Sequence, residues 1–162
     1  VLKKMATARL KMMYATVLAL PGIPLLYAND EKAVFNDYSY RRKKEQKDDS
    51  RWVHRIKTNW KIKLNAEQNE IFEFLKKAIK IRQSEKLFGG NEIYFYDVQD
   101  SEVFAFRRNT IHVVVNFSEK NANFKIDAWS NQSTELLTGK KYNNHELQKL
   151  APYEVRWLKE EI

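Results

Sequence analysis

Cysteine is absent from this 162-residue chain. That excludes disulfides, thiolate metal sites and a cysteine nucleophile. A cytoplasmic location is compatible with the absence and is the expectation taken from it. Glycine occurs four times and proline three times, which leaves almost no material for a glycine-rich phosphate loop. The three histidines, His54, His112 and His145, have no metal-ligand spacing, so no zinc site is expected. No other metal and no cofactor is expected either. Long apolar runs are also missing. The most apolar stretch, Val17 to Ala28, is shorter than the roughly 20 residues of a membrane span and is broken by Pro21 and Pro24, so no membrane role is expected. No signal-peptide pattern precedes it; the first residue is Val1, and a natural start elsewhere is left open. A complete (β/α)₈ barrel needs about 250 residues, so none closes within this chain.

What is present is a globular composition. Hydrophobic residues make up 43%, aromatics 13% and charged residues 31%, enough to bury a core and to exclude general disorder. The balance of 29 basic against 21 acidic residues, net +8, suits a polyanionic partner. The plainer reading is a lysine-rich surface, and nucleic acid is kept only as a minor hypothesis. Arg41-Arg42-Lys43-Lys44, with Tyr38 and Tyr40 nearby, is its best argument; Glu45, Asp48 and Asp49 follow at once and weaken any field of one sign.

Periodicity predicts a helix over residues 1–19, with Leu2, Met5, Leu10, Met13, Val17 and Leu18 recurring at three- and four-residue steps. Pro21-Gly22 stops it. Ile23 to Ala28 then reads as a strand buried on both faces, as in a parallel sheet covered by helices. Residues 29–65 are polar with no clear period, and their embedded aromatics favour a functional, partly ordered loop. Asn65 is placed to cap a second helix from Ala66 to about Ser84. After Gly89-Gly90 the texture becomes β-rich. Strands are predicted near 92–96, 103–108, 111–117, 124–126, 134–137, 145–150 and 154–158, the pattern of an antiparallel sandwich or meander. The domain boundary is drawn at 90/91.

Two clusters could carry chemistry. Asp30-Glu31 follows the expected buried strand, where α/β active sites are assembled. Adjacent residues on an extended segment point apart, so a supporting role stands beside a catalytic one. The other is Asp48-Asp49-Ser50-Arg51-Trp52-Val53-His54-Arg55. Arginine offers a rigid fork of donors for carboxylates or ring hydroxyls, and tryptophan a flat face for sugars. The plainer reading is a loop pinned by an Arg–Asp pair with one buried tryptophan. His54 is an acid or base by type or a hydrogen-bonded structural residue; His112, in an apolar strand, is read as structural.

Pro21-Gly22-Ile23-Pro24-Leu25-Leu26-Tyr27 followed by Asp30-Glu31 resembles the eighth-strand segment G-x-P-x-x-Y-x-G-D-E of the α-amylase superfamily, glycoside hydrolase family 13. Asn36-Asp37 and the stretch from Asp48 to Arg55 are similar to the amylosucrase branch, and the likeness continues through Ile81-Arg82-Gln83-Ser84, Phe88-Gly89-Gly90, Val115 to Ser118 and Leu150 to Leu158. The resemblance implies that the isolated chain is α+β. Residues 1–90 would be the last βα portion of a (β/α)₈ barrel, and residues 91–162 an antiparallel β-sandwich domain. It implies a parent enzyme with a retaining mechanism, either a glucosyltransferase that moves the glucosyl unit of sucrose onto an α-glucan or a glycoside hydrolase acting on an α-glucoside, with nucleophile, general acid and a third carboxylate at positions outside this chain. Alone, the chain would then have no catalytic residue and be inactive. Arg51 would help close the glucosyl pocket through an ion pair with an aspartate that is also outside it, and Asp49, Trp52 and His54 would shape the rim. Expected partners are sucrose or α-glucan, and either the upstream barrel portion or a second copy of the chain. A carbohydrate-binding or assembly module is the alternative. The chain departs from the pattern at Asn29, where glycine is expected, at Lys32-Ala33, which replaces a small apolar–glycine pair, and at Ile56, where proline is expected. These changes lie beside the pocket and are read as relaxed constraint on the parent activity.

Overall fold

The computed structural model describes residues 2–125 and 130–161. They form two α-helices, α1 (Leu2–Ala19) and α2 (Ala66–Ser84), four short 3₁₀ turns and eight strands. The strands are β1 (Tyr94–Phe95), β2 (Val103–Arg108), β3 (Ile111–Asn116), β4 (Ala122–Phe124), β5 (Gln132–Glu135), β6 (Lys141–Asn143), β7 (Gln148–Leu150) and β8 (Val155–Glu160). Residues 1–24 and 74–162 make one compact unit and residues 25–73 another; each is described by itself.

In the first unit all strand pairs are antiparallel. One sheet has the order β1-β2-β3-β8-β5-β6, and β4 pairs with β7 in a second. The sequence explains the sheet's two buried faces: β3 carries three consecutive valines, and every residue in it is buried, the texture of a central strand. Val103, Ala105, Val114 and Leu158 face Ala122, Phe124 and Leu150 of the smaller sheet. On the opposite face Phe106, Val113 and Trp157 are in register, and Trp157 meets Phe88 edge-on at 5.1 Å. Helix α1 packs on β3 and β8. His112 is fully buried in β3, its Nδ1 2.6 Å from the Tyr96 hydroxyl and its Nε2 2.5 Å from Glu160 Oε1.

The buried stripe of α1 differs from the expected one. Met12, Ala15, Thr16, Leu18 and Ala19 are buried, whereas Met13 and Val17 are about half exposed. The helix is apolar on more than one side, so contact with the sheet decides which side is buried.

Arginine side chains close the ends that the backbone leaves open. The last carbonyls of an α-helix have no partner within it. Here the Arg82 guanidinium donates to Leu18 O, to Leu20 O at 3.1 Å and to Gly22 O at 2.7 Å.

The expected strand at Ile23–Ala28 does not form. The segment has no ladder partner among the described residues, and Ile23 and Leu25 are 91% and 84% exposed. An extended apolar run becomes a strand only when a neighbour takes its hydrogen bonds. The predicted β-strands otherwise fall close to those observed, with two exceptions. β6 carried no apolar signal and was not expected, and Ile126, at the end of the predicted 124–126 strand, lies outside the described residues.

Candidate functional site

Residues 25–73 are built on polar side chains that fold the backbone back on itself. Asp37 Oδ1 accepts from Ser39 N at 2.8 Å and starts a 3₁₀ turn over Tyr38–Arg42. Asp49 Oδ1 accepts from Arg51 N at 3.0 Å and starts another over Ser50–Val53. Short carboxylates that bond two residues ahead mimic a backbone turn. Asp37 N donates to Val53 O at 3.0 Å, and the buried Asn29 carboxamide donates to Ile56 O at 3.0 Å. At Asn65 the expected cap is reciprocal: Asn65 Oδ1 accepts from Gln68 N at 2.8 Å and Gln68 Oε1 from Asn65 N at 3.1 Å, a capping box.

Asp30 and Glu31 do not sit on an extended segment. They open a 3₁₀ turn over Asp30–Lys32, flanked by Asn29 at φ 82° and Ala33 at φ 45°. Both flanks are left-handed, and both are positions where the resemblance expects glycine. Asn tolerates that conformation through its short polar side chain, whereas alanine is strained in it. Ala33→Gly is therefore expected to stabilise the loop unit by about 1 kcal/mol, read as a higher urea midpoint. An unchanged or lower midpoint would contradict the strain.

These turns enclose a concavity of about 470 Å³ lined by Tyr27, Ala28, Asn29, Asp30, Val34, Asn36, Arg51, His54, Arg55 and Ile56. Three of the expected residues, Asp30, Arg51 and His54, are on its wall. Asp49 and Trp52, expected at the rim, are not among the lining residues. Asp49 grips Arg51 by two bonds, Nε to Oδ1 at 2.8 Å and Nη2 to Oδ2 at 3.0 Å, and stands 3.7 Å from Arg55 Nη1. The Trp52 ring, half-buried, lies under the Arg55 guanidinium at 5.5 Å. Glu31 points instead to the Lys32 ammonium at 3.8 Å. The bonds from the Arg51 side chain and backbone hold the Asp49 carboxyl below its ordinary value of 3.8. A depressed carboxyl stabilises the loop above that ordinary value, and the contribution is lost as pH falls through the folded one.

His54 Nδ1 lies 3.2 Å from Asn36 Oδ1. A carboxamide oxygen only accepts, so this contact places a proton on Nδ1, and in the neutral imidazole Nε2 then keeps its lone pair. No spacing announced that contact, which joins residues 18 apart, nor the bond from Asn29 to Ile56, 27 apart. The wall thus presents two guanidinium groups, an imidazole, two carboxamides, a phenol and one carboxylate, a set that binds hydroxyl groups as both donor and acceptor. Retaining glycoside cleavage takes two carboxyl groups about 5–5.5 Å apart, and Asp30 is the single carboxylate lining this concavity. Among the described residues no group of acidic and histidine side chains could hold a metal ion. No helix among them is long and apolar enough to cross a membrane.

No family model matches the chain. The oligo-1,6-glucosidase IMA5 of Saccharomyces cerevisiae is 27% identical over 121 residues, 68% of this chain and 21% of the relative. Ttha1563 from Thermus thermophilus superposes with a TM-score of 0.73 at 20% identity, over 95% of this chain and 31% of that one. AmyP in complex with maltotriose gives 0.75 at 18% identity, over 94% and 34%. The chain therefore spans about a fifth of the curated relative and about a third of the solved structures. The sequence match is thus to part of a glucosidase, and the fold is shared with part of Ttha1563 and of AmyP.

Proposed function

We propose that the chain is the C-terminal portion of an α-glucan-acting, amylosucrase-like enzyme. Residues 1–90 are then the last βα slice of a (β/α)₈ barrel, and residues 91–162 its antiparallel β-sandwich domain. The observation that carries the reading is the concavity: Arg51, clamped by Asp49, and His54, oriented by Asn36, converge with Asp30 on a space of about 470 Å³. That size suits a saccharide ring. Arg51 and Arg55 donate to ring hydroxyls, His54 accepts at Nε2 and Asp30 accepts from a further hydroxyl. Fixed groups of this kind lose little freedom when the ligand arrives. The nucleophile and general acid come from outside this chain, so it holds sucrose or an α-glucan without cleaving it.

A second reading, an assembly module, is favoured by the exposed run Ile23, Leu25 and Tyr27, which are 91%, 84% and 53% exposed. It would be covered by the upstream barrel portion or by a second copy of the chain.

Both are tested by titrating the purified chain with sucrose and with maltoheptaose. The expected result is a saccharide-dependent shift of the His54 imidazole resonances, weakened at least severalfold in Arg51→Ala, with no release of fructose or glucose. No shift with either sugar would overturn the binding reading, and turnover by the chain alone would overturn the non-catalytic one. Sedimentation of the chain as a clean monomer, with and without an upstream barrel fragment, would count against assembly.

A further inference from the structure

We propose that Trp60, braced by Lys32, is a stacking platform for a pyranose ring of an α-glucan, next to the concavity but not part of its wall. The proposal rests on the α-glucan reading above. It starts from the exposure of the ring. Trp60 is 83% exposed, although its indole is among the largest apolar side chains and would ordinarily be buried. It is nevertheless held in place. The Lys32 ammonium lies 4.5 Å from the ring centroid, within the reach of a cation–π contact.

The brace is itself unusual. The Lys32 side chain is only 11% exposed, and its ammonium nitrogen is buried without a hydrogen-bond acceptor. The Glu31 carboxylate oxygen Oε1 is 3.8 Å away, beyond hydrogen-bond distance. A buried ammonium without acceptors is costly, and the ring supplies an attractive surface in addition to the Glu31 charge. Lys32 takes one face of Trp60. A flat, apolar face that is fixed in place, exposed and flanked by charge suits the C–H-rich face of a pyranose, whose equatorial hydroxyls remain in water.

Placement fits the same ligand. Asp30 and Lys32 are the first and last residues of one 3₁₀ turn. That turn rises about 2 Å per residue, so Asp30 on the concavity wall and the brace of Trp60 are near neighbours. A glucan seated in the concavity therefore has a second ring's footing within its own length, and a monosaccharide does not. The platform favours oligosaccharides over single sugars.

The test uses the full chain, with glucose and maltoheptaose as probes and the Trp60 indole N–H resonance and affinity as readouts. Maltoheptaose is expected to shift the Trp60 indole signal. Trp60→Ala should weaken maltoheptaose binding about tenfold, the scale of one stacked ring, while leaving glucose binding unchanged. Trp60→Tyr should restore most of the loss, and Lys32→Gln should weaken binding to a smaller degree. Since Trp60 is exposed, its two variants are expected to fold, and circular dichroism checks these and Lys32→Gln. Equal maltoheptaose affinity in Trp60→Ala, with binding still lost in Arg51→Ala, would overturn the platform alone. Failure of the unmodified chain to bind either sugar would overturn the α-glucan reading and the platform with it.

Discussion

Arg108→Ala is expected to destabilise the protein by about 3–4 kcal/mol, a drop in midpoint temperature on the order of 10 °C for a chain of this size. The side chain is 1% exposed. Its guanidinium donates to three backbone carbonyls on two segments: Ala19 at the end of α1 at 3.1 Å, and Phe88 at 2.7 Å and Gly90 in the turn before β1. Burial pulls its pKa below the ordinary arginine value, and the neighbouring Arg82 adds to the effect. A buried cation with only neutral acceptors is expensive to desolvate, so the net contribution is well below the sum of its bonds. Truncation is worse, because three carbonyls lose their donor and a long side chain leaves a void. Arg108→Met separates the two effects, keeping most of the volume and removing the donors. Its loss should fall between those of the wild type and alanine in urea unfolding. A change under about 1 kcal/mol in the alanine variant would mean that the two segments are not held from this point.

Glu135→Ala is expected to cost about 3 kcal/mol by the mirror-image argument. The carboxylate is 2% exposed and accepts from four donors: Leu137 N at 3.0 Å, Thr138 N at 2.7 Å, Thr138 Oγ1 at 2.5 Å and Trp157 N at 3.1 Å. It therefore fixes the turn between β5 and β6 and joins that turn to β8. Glu135→Gln keeps one acceptor oxygen and places an amide N–H₂ against the other donors, so it should recover only part of the loss. Equal stability of the glutamine variant and the wild type would show that the charge plays no part. Loss confined to β5 and β6 in amide exchange, with β2 and β3 still protected, would locate the damage where the geometry puts it.

Local patterns carried most of what was legible beforehand. The helix over 66–84 and its Asn65 cap follow from a signal confined to a few neighbouring residues, and both appear as expected. The β-rich texture of β2 and the run of valines in β3 likewise state their own burial. Where the outcome depended on a neighbour, the sequence was mute or misleading. Ile23 to Ala28 has the texture of a buried strand, yet texture cannot supply a hydrogen-bonding partner. Met13 and Val17 are as apolar as Met12 and Leu18, and only the position of the sheet decides between them. The loop shows the same divide. The Asp49–Arg51 clamp spans two positions and was foreseen as an Arg–Asp pair. The contacts of Asn36 with His54 and of Asn29 with Ile56 join residues whose spacing carries no signal. The two glycine-to-other departures were read as relaxed constraint; the structure gives them a backbone meaning, since Asn29 and Ala33 both hold left-handed conformations.

The place of β8 in the six-stranded sheet has a consequence for how the molecule is made. It lies between β3 and β5, yet among the described strands it is the last in the chain. During synthesis, β1-β2-β3 can pair as a meander and β5-β6 as a hairpin, but nothing joins the two sets until Val155 to Glu160 arrive. The nascent sheet is thus two open-edged pieces awaiting a central plank. Until then β3 offers an unpaired, valine-rich edge, the kind that invites association with other chains. Loss of the final strand would not shorten the sheet at its margin; it would split it through the middle.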